Sequence, residues 1–113
     1  AAMIITGGVA PNRDGVMEAD SDYMDPGRVA FHRVVTDAVH AAGAPILMQV
    51  LHAGRYAKID EPVGASAAPS RINRRKVRAL TEAEVDRTVD EFAQAAVLAR
   101  EAGYDGVEIM GSE

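Results

Sequence analysis

Three short apolar runs, separated by two amphipathic stretches that each close on glycine, constrain this chain more than any other feature. Met3 to Thr6 is apolar, β-prone and runs into Gly7-Gly8; Pro45 to Leu51 is apolar on both faces except at Gln49; Gly106 to Met110 is the third run. Short runs that are apolar on both faces mark parallel strands covered by helices. Between the first two, Asp25-Pro26 supplies an N-cap followed by proline at the first helical position, and apolar residues recur at Val29, Val34/Val35, Ala38/Val39 and Ala42 before Gly43. Between the second and third, Thr81-Glu82-Ala83-Glu84 is a capping box, opening a helix with apolar positions Val85, Val89, Phe92, Ala95/Ala96, Ala99 and Ala102 that stops at Gly103. Strand, helix, strand, helix, strand is two consecutive βαβ units, which call for a parallel sheet with right-handed crossovers.

An open doubly wound sheet and a segment of a barrel both satisfy that pattern. Three parallel strands cannot close a barrel, and they leave an apolar face wet unless further structure covers it. The chain opens directly in its first apolar run, with no polar lead-in, and stops three residues into the loop after the third. We therefore expect an internal piece, one fragment (1–113) of a single larger domain that needs the remainder of its fold. Two long loops interrupt the alternation, Val9 to Asp25 and His52 to Leu80, and loops of that size often carry function.

Composition removes several classes of function. Twelve basic against seventeen acidic side chains give a net charge of −5, which argues against a general nucleic-acid binder. The chain has no cysteine, so no disulfide, thiolate zinc site or cysteine-held iron–sulfur cluster can be built from it. Its apolar runs fall far short of the roughly 20 residues a membrane helix needs. No membrane partner is expected, and cytoplasm is the default compartment.

In a parallel α/β arrangement ligands bind at the carboxyl ends of the strands. Gly7-Gly8 is read either as a tight strand-to-loop turn or as backbone against which a flat or anionic ligand can press. Neither GxGxxG nor GxxxxGK[ST] is present, so nucleotide-fold readings lose their main support. Gln49 places an uncharged amide near the end of an apolar central strand, where an unpaired amide costs on the order of 1–3 kcal/mol. Its partner is neighbouring backbone or water, or a ligand offering adjacent donor and acceptor atoms.

His52 and Arg55 follow the same strand, suited either to ordering the loop or to binding an anionic or carbonyl-bearing group. His32 and His40 read as ordinary helix residues, and no metal site is expected. The basic run Arg71, Arg74, Arg75, Lys76 and Arg78 reads as a solvated loop beside the acidic helix start; contact with coenzyme A phosphates is the sharper alternative. Glu108, inside a strand, reads as one half of a structural ion pair. A Schiff-base aldolase would need a lysine on a strand, and neither Lys58 nor Lys76 is on one.

Taken in order, Ile4-Ile5-Thr6-Gly7-Gly8-Val9-Ala10-Pro11-Asn12, Gln49-Val50-Leu51-His52-Ala53-Gly54-Arg55-Tyr56, Ala67-Ala68-Pro69-Ser70, Leu80-Thr81-Glu82-Ala83-Glu84 and the closing stretch Ala99 to Glu113 resemble the NADH:flavin oxidoreductase, or Old Yellow Enzyme, family. The resemblance implies strands two to four, with their helices, of a TIM (β/α)8 barrel that holds FMN at its carboxyl-terminal mouth. It implies that Gln49 hydrogen-bonds the flavin pyrimidine edge and that Gly7 brings small backbone close to the ring, with His52 and Arg55 as pocket-forming residues. Many members carry a His-His or His-Asn pair after the fourth strand; Met110 and Glu113 stand at those positions and can play no such part.

The ending Ile109 to Glu113 is instead similar to the 2,4-dienoyl-CoA reductase branch, in which a proton-donating tyrosine is expected just after Glu113. The implied reaction is reduction of an activated carbon–carbon double bond, in an enoyl or dienoyl compound such as a CoA thioester, with NADH or NADPH as reductant. FAD and an iron–sulfur cluster would belong to other parts of such a protein. Amine dehydrogenation on the same scaffold, and a non-catalytic truncated interaction module, are the alternatives; the fragment alone is expected to be inactive.

Overall fold

The structure, a computed structural model, describes residues 2–112. Its central sheet holds β1 (Ile4–Ile5), β2 (Ile46–Val50) and β5 (Gly106–Ile109) in the order β1-β2-β5, with both pairings parallel. Helix α1 (Val29–Ala41) joins β1 to β2, and α2 (Glu82–Glu101) leads into β5. Two residues of each of β3 (Val63–Gly64) and β4 (Arg78–Ala79) form a separate parallel pair within the second long loop.

The helix boundaries follow from local chemistry. Thr81 accepts from the Glu84 amide while the Glu84 carboxylate accepts from the Thr81 amide, closing the capping box. Gly43 and Gly103 end the helices with φ of 78° and 90°, conformations that glycine adopts without a Cβ penalty. The Asp25 cap holds a 3-10 turn, Pro26–Arg28, from which the regular helix proceeds, so α1 begins at Val29, three residues past the expected start at Pro26.

Gly7-Gly8 does not lead the chain out of the sheet. The Thr6 amide donates to Leu47 O and the Val9 amide to Gln49 O, so three residues on this edge span what two span on β2. That extra residue is a bulge, and Val9 then pairs again with Val50. Thr6 Oγ1 accepts the Gln49 amide (3.0 Å) where the ladder is interrupted.

Residues of β2 alternate in burial: Ile46, Met48 and Val50 are buried, while Leu47 and Gln49 are partly exposed. The buried set packs with Ala95, Leu98, Ala99, Ala102 and Tyr104 in one core. Helix α1 corrects the sequence reading. Val29 and Val39 pack against the core as expected, but Val34 and Val35 are exposed, as is Phe31, and the inward face also carries His32 and Thr36. Thr36 Oγ1 donates to Ala102 O (2.6 Å) and His32 Nδ1 meets Tyr104 Oη (3.0 Å), so polar bonds past the end of α2 join these apolar contacts in docking α1. Bare Gly103 permits this approach, since a Cβ there would lie 2.8 Å from Thr36 Oγ1. His40 pairs with Asp105 (2.8 Å).

Candidate functional site

Alternate residues of the strands share a face, so the register pairs Leu47 with Gly106 and Gln49 with Glu108 on the face opposite the helical core. The structure brings Gln49 together with the glycine bulge on that open face. A Cβ on Gly8 would lie 3.4 Å from Gln49 Oε1 and 2.9 Å from Leu51 Cβ, whereas a Cβ on Gly7 would meet nothing within 4 Å. Gly8 is thus closed in by β2, and Gly7 borders free space. Among the described residues the Gln49 carboxamide makes no hydrogen bond. Glu108 Oε2 is buried with no hydrogen-bond partner among them either. The ion pair expected for Glu108 is not formed by the described residues, and its position one strand over from Gln49 became visible only with the register.

His52 and Arg55 lie elsewhere, in a cavity of about 510 Å³ that neither Gly7 nor Gln49 lines. Tyr56, Thr88, Phe92 and Met110 form much of the remaining wall. His52 follows β2 directly, and Arg55 sits in the 3-10 turn Gly54–Tyr56 with its guanidinium 5.3 Å from the Tyr56 ring centroid. His52 Nδ1 accepts the Gly54 amide (3.1 Å), which leaves the ring proton on Nε2. Nε2 is buried without a hydrogen-bond partner among the described residues. Burial pushes His52 below the ordinary histidine range, against the raising pull of Asp14 and Glu91, so the ring is neutral at pH 7.

The basic run of the second loop does not line this cavity. Arg78 is held by both Glu84 oxygens (3.1 and 3.0 Å) and lies 3.4 Å from Glu61, and Arg75 donates to Ile59 O. Met110 is a cavity residue; Glu113 lies outside the described residues. The described residues contain no cluster of three or more His, Cys, Asp or Glu able to hold a metal, and no helix long and apolar enough to cross a membrane.

The family model of the NADH:flavin oxidoreductase / NADH oxidase family matches residues 1–113. The chain belongs to that family. A metal reductase of Desulforamulus reducens is 38% identical over 120 residues, covering 99% of this chain and 17% of that protein. The 12-oxophytodienoate reductase 1 of Oryza sativa subsp. japonica is 32% identical over 115 residues, 92% of this chain and 30% of the relative. Among solved structures, an old yellow enzyme homologue from Zymomonas mobilis superposes with a TM-score of 0.80 at 27% identity, over 95% of this chain and 34% of that one. The chain therefore spans between a sixth and a third of these proteins' lengths, and its three parallel strands with their helices are part of a TIM barrel.

Proposed function

We propose that this chain is the part of an FMN-dependent oxidoreductase that holds the flavin ring, in a protein that takes hydride from NADH or NADPH and reduces an activated carbon–carbon double bond of an enoyl or dienoyl compound. The observation that carries the reading is the unpartnered Gln49 carboxamide on the open sheet face, beside a glycine bulge at the carboxyl end of the strands. The residues fit the cofactor: a carboxamide matches the alternating donors and acceptors of a flavin pyrimidine edge, and bare Gly7 leaves room for a flat ring. Bound there, FMN supplies two-electron chemistry between the nicotinamide and carbon.

The chain's own groups then divide the work. Gln49 orients the ring, Gly7 admits it, and the neutral His52 and cationic Arg55 line the cavity where a carbonyl or anionic group of the substrate can lodge. Met110 stands on the cavity wall where many members carry the first residue of a His-His or His-Asn pair, and it cannot hydrogen-bond a substrate carbonyl. That departure supports the 2,4-dienoyl-CoA reductase branch, in which a tyrosine just after Glu113 would donate the proton. A CoA thioester draws no support from the basic run, whose Arg78 is already paired.

The test is made on the intact protein that contains this segment. We expect a yellow protein that releases FMN on denaturation and oxidises NADH or NADPH when a dienoyl thioester is added. Absence of flavin after reconstitution rejects the whole reading; a flavoprotein that reduces 2-enones and leaves dienoyl thioesters untouched rejects the branch.

A further inference from the structure

We propose that Asn12 and Glu91 form a latch between the loop after β1 and helix α2 that seats His52, making Asn12 a positioning residue for the cavity. The latch matters to catalysis only through the flavoenzyme reading given above, but its geometry stands without it. Asn12 uses both ends of its amide. Its Oδ1 accepts the Gly15 amide (2.8 Å), capping the 3-10 turn Arg13–Gly15, and its Nδ2 donates to Glu91 Oε2, 79 residues away.

That turn is the bed on which His52 lies. Gly15 O accepts the Ala53 amide (2.8 Å), and a Cβ on Gly15 would fall 2.7 Å from His52 Cδ2. Two residues on, Met17 O accepts the Lys58 amide (2.7 Å), so the loops after β1 and β2 are tied together at two points in the stretch that follows His52. Glu91 also acts directly: with Asp14 it is one of two carboxylates whose field reaches the imidazole, and its other oxygen lies 3.7 Å from Arg87. Moving Asn12 would therefore shift the turn, the ring lying on it and the charge beside that ring together.

The chemistry of the pair dictates the test, because a carboxamide and a carboxylate can exchange places. Asn12→Asp sets two carboxylates against each other and removes the only proton between them. Glu91→Gln is tolerated, since the new amide can turn its oxygen toward Asn12. Asn12→Asp with Glu91→Gln restores one donor and one acceptor with the roles reversed, while the carboxylate introduced at position 12 still caps the Gly15 amide.

Histidine-labelled intact protein, with His52 signals assigned by their loss in His52→Gln, reports the ring's tautomer by NMR. We expect a single neutral form with the proton on Nε2 in wild type and in Glu91→Gln. Asn12→Asp should give a mixture of forms and a lower Tm, and the exchanged double variant should recover more than half of both losses. If Asn12→Asp fails to fold, recovery of folded protein in the double variant is the same supporting result. A double variant no better than Asn12→Asp, or an Asn12→Asp protein whose His52 signals are unmoved, overturns the latch. FMN titration of the same proteins separates the two readings: no flavin uptake with the exchange still restoring His52 removes only the function, and flavin uptake without restoration removes only the latch.

Discussion

The two faces of the central sheet are made of alternate residues on the same strands, yet one is finished and the other is not. On the helical side Ile46, Met48 and Val50 are buried beneath α2 by residues of this chain alone. On the opposite side Ile5 is 46% exposed, Gln49 has no side-chain hydrogen bond among the described residues and a Glu108 oxygen is buried without one. The first face specifies fold, because close packing of apolar side chains needs no partner from elsewhere. The second face leaves polar groups to be paired from outside the described residues, because buried polar groups are costly until paired, a part taken by FMN in the proposed function.

Substitutions can break this contrast directly. The largest expected effect is on the finished face: Met48→Ala in the intact protein removes a fully buried side chain and should cost about 2–5 kcal/mol in denaturant unfolding. A cost below about 1 kcal/mol would mean the core lies elsewhere.

The bulge glycines sharpen the comparison within two adjacent residues. Neither has positive φ, so only space distinguishes them. Gly8→Ala places its Cβ against Leu51 and should cost about 1–3 kcal/mol of stability. Gly7→Ala meets nothing in the protein and should leave stability within about 0.5 kcal/mol, while weakening FMN about tenfold by entering the flavin's space. Equal stability losses at the two positions would erase the distinction.

The smallest effect lies at the capped start of α2, away from the Ala95, Leu98 and Ala99 that cover the helical face. The Thr81 amide, first, and Arg78 hold Glu84 down to about 2 from an ordinary 4.5. A carboxylate with a depressed folded pKa stabilises above its unfolded value and loses that contribution as pH falls through its folded one. Tm should therefore fall on acidification from about pH 4.5 towards 2, and Glu84→Gln should flatten that part of the profile. A profile unchanged by the substitution would show that the cap does not couple to pH.

What the sequence disclosed tracks how local each cause is. The Thr81–Glu84 box and the glycine stops at Gly43 and Gly103 act over a few residues, and each appears where the residues place it. The parallel order was legible because covered strands are apolar on both faces. For Gly7-Gly8 the sequence offers a strand-to-loop turn or a backbone open to a flat ligand and does not offer a bulge, because a bulge and an exit from the sheet use the same residues; only the β2 register separates them. On α1 the periodicity holds at Val29 and Val39, which pack against the core, and fails at Val34 and Val35, because His32 and Thr36 turn inward and satisfy themselves on Tyr104 and Ala102. Gln49, His52 and Arg55 stood out as candidates, but their division between an open face and a separate cavity is a long-range property. Asn12 and Glu91 gave no joint signal across 79 positions; the Asn-x-x-Gly turn was the one clue available.

The carboxamide of Gln49 decides the matter most directly. Apoprotein of the intact protein that contains this segment is titrated with FMN as wild type and as Gln49→Leu, with Tm recorded for both apo forms. We expect about a tenfold or larger loss of FMN affinity, from an orphaned flavin edge, with the apo Tm unchanged or slightly raised. Equal affinity for FMN, or a Tm loss large enough to account for the weaker binding, would contradict the account.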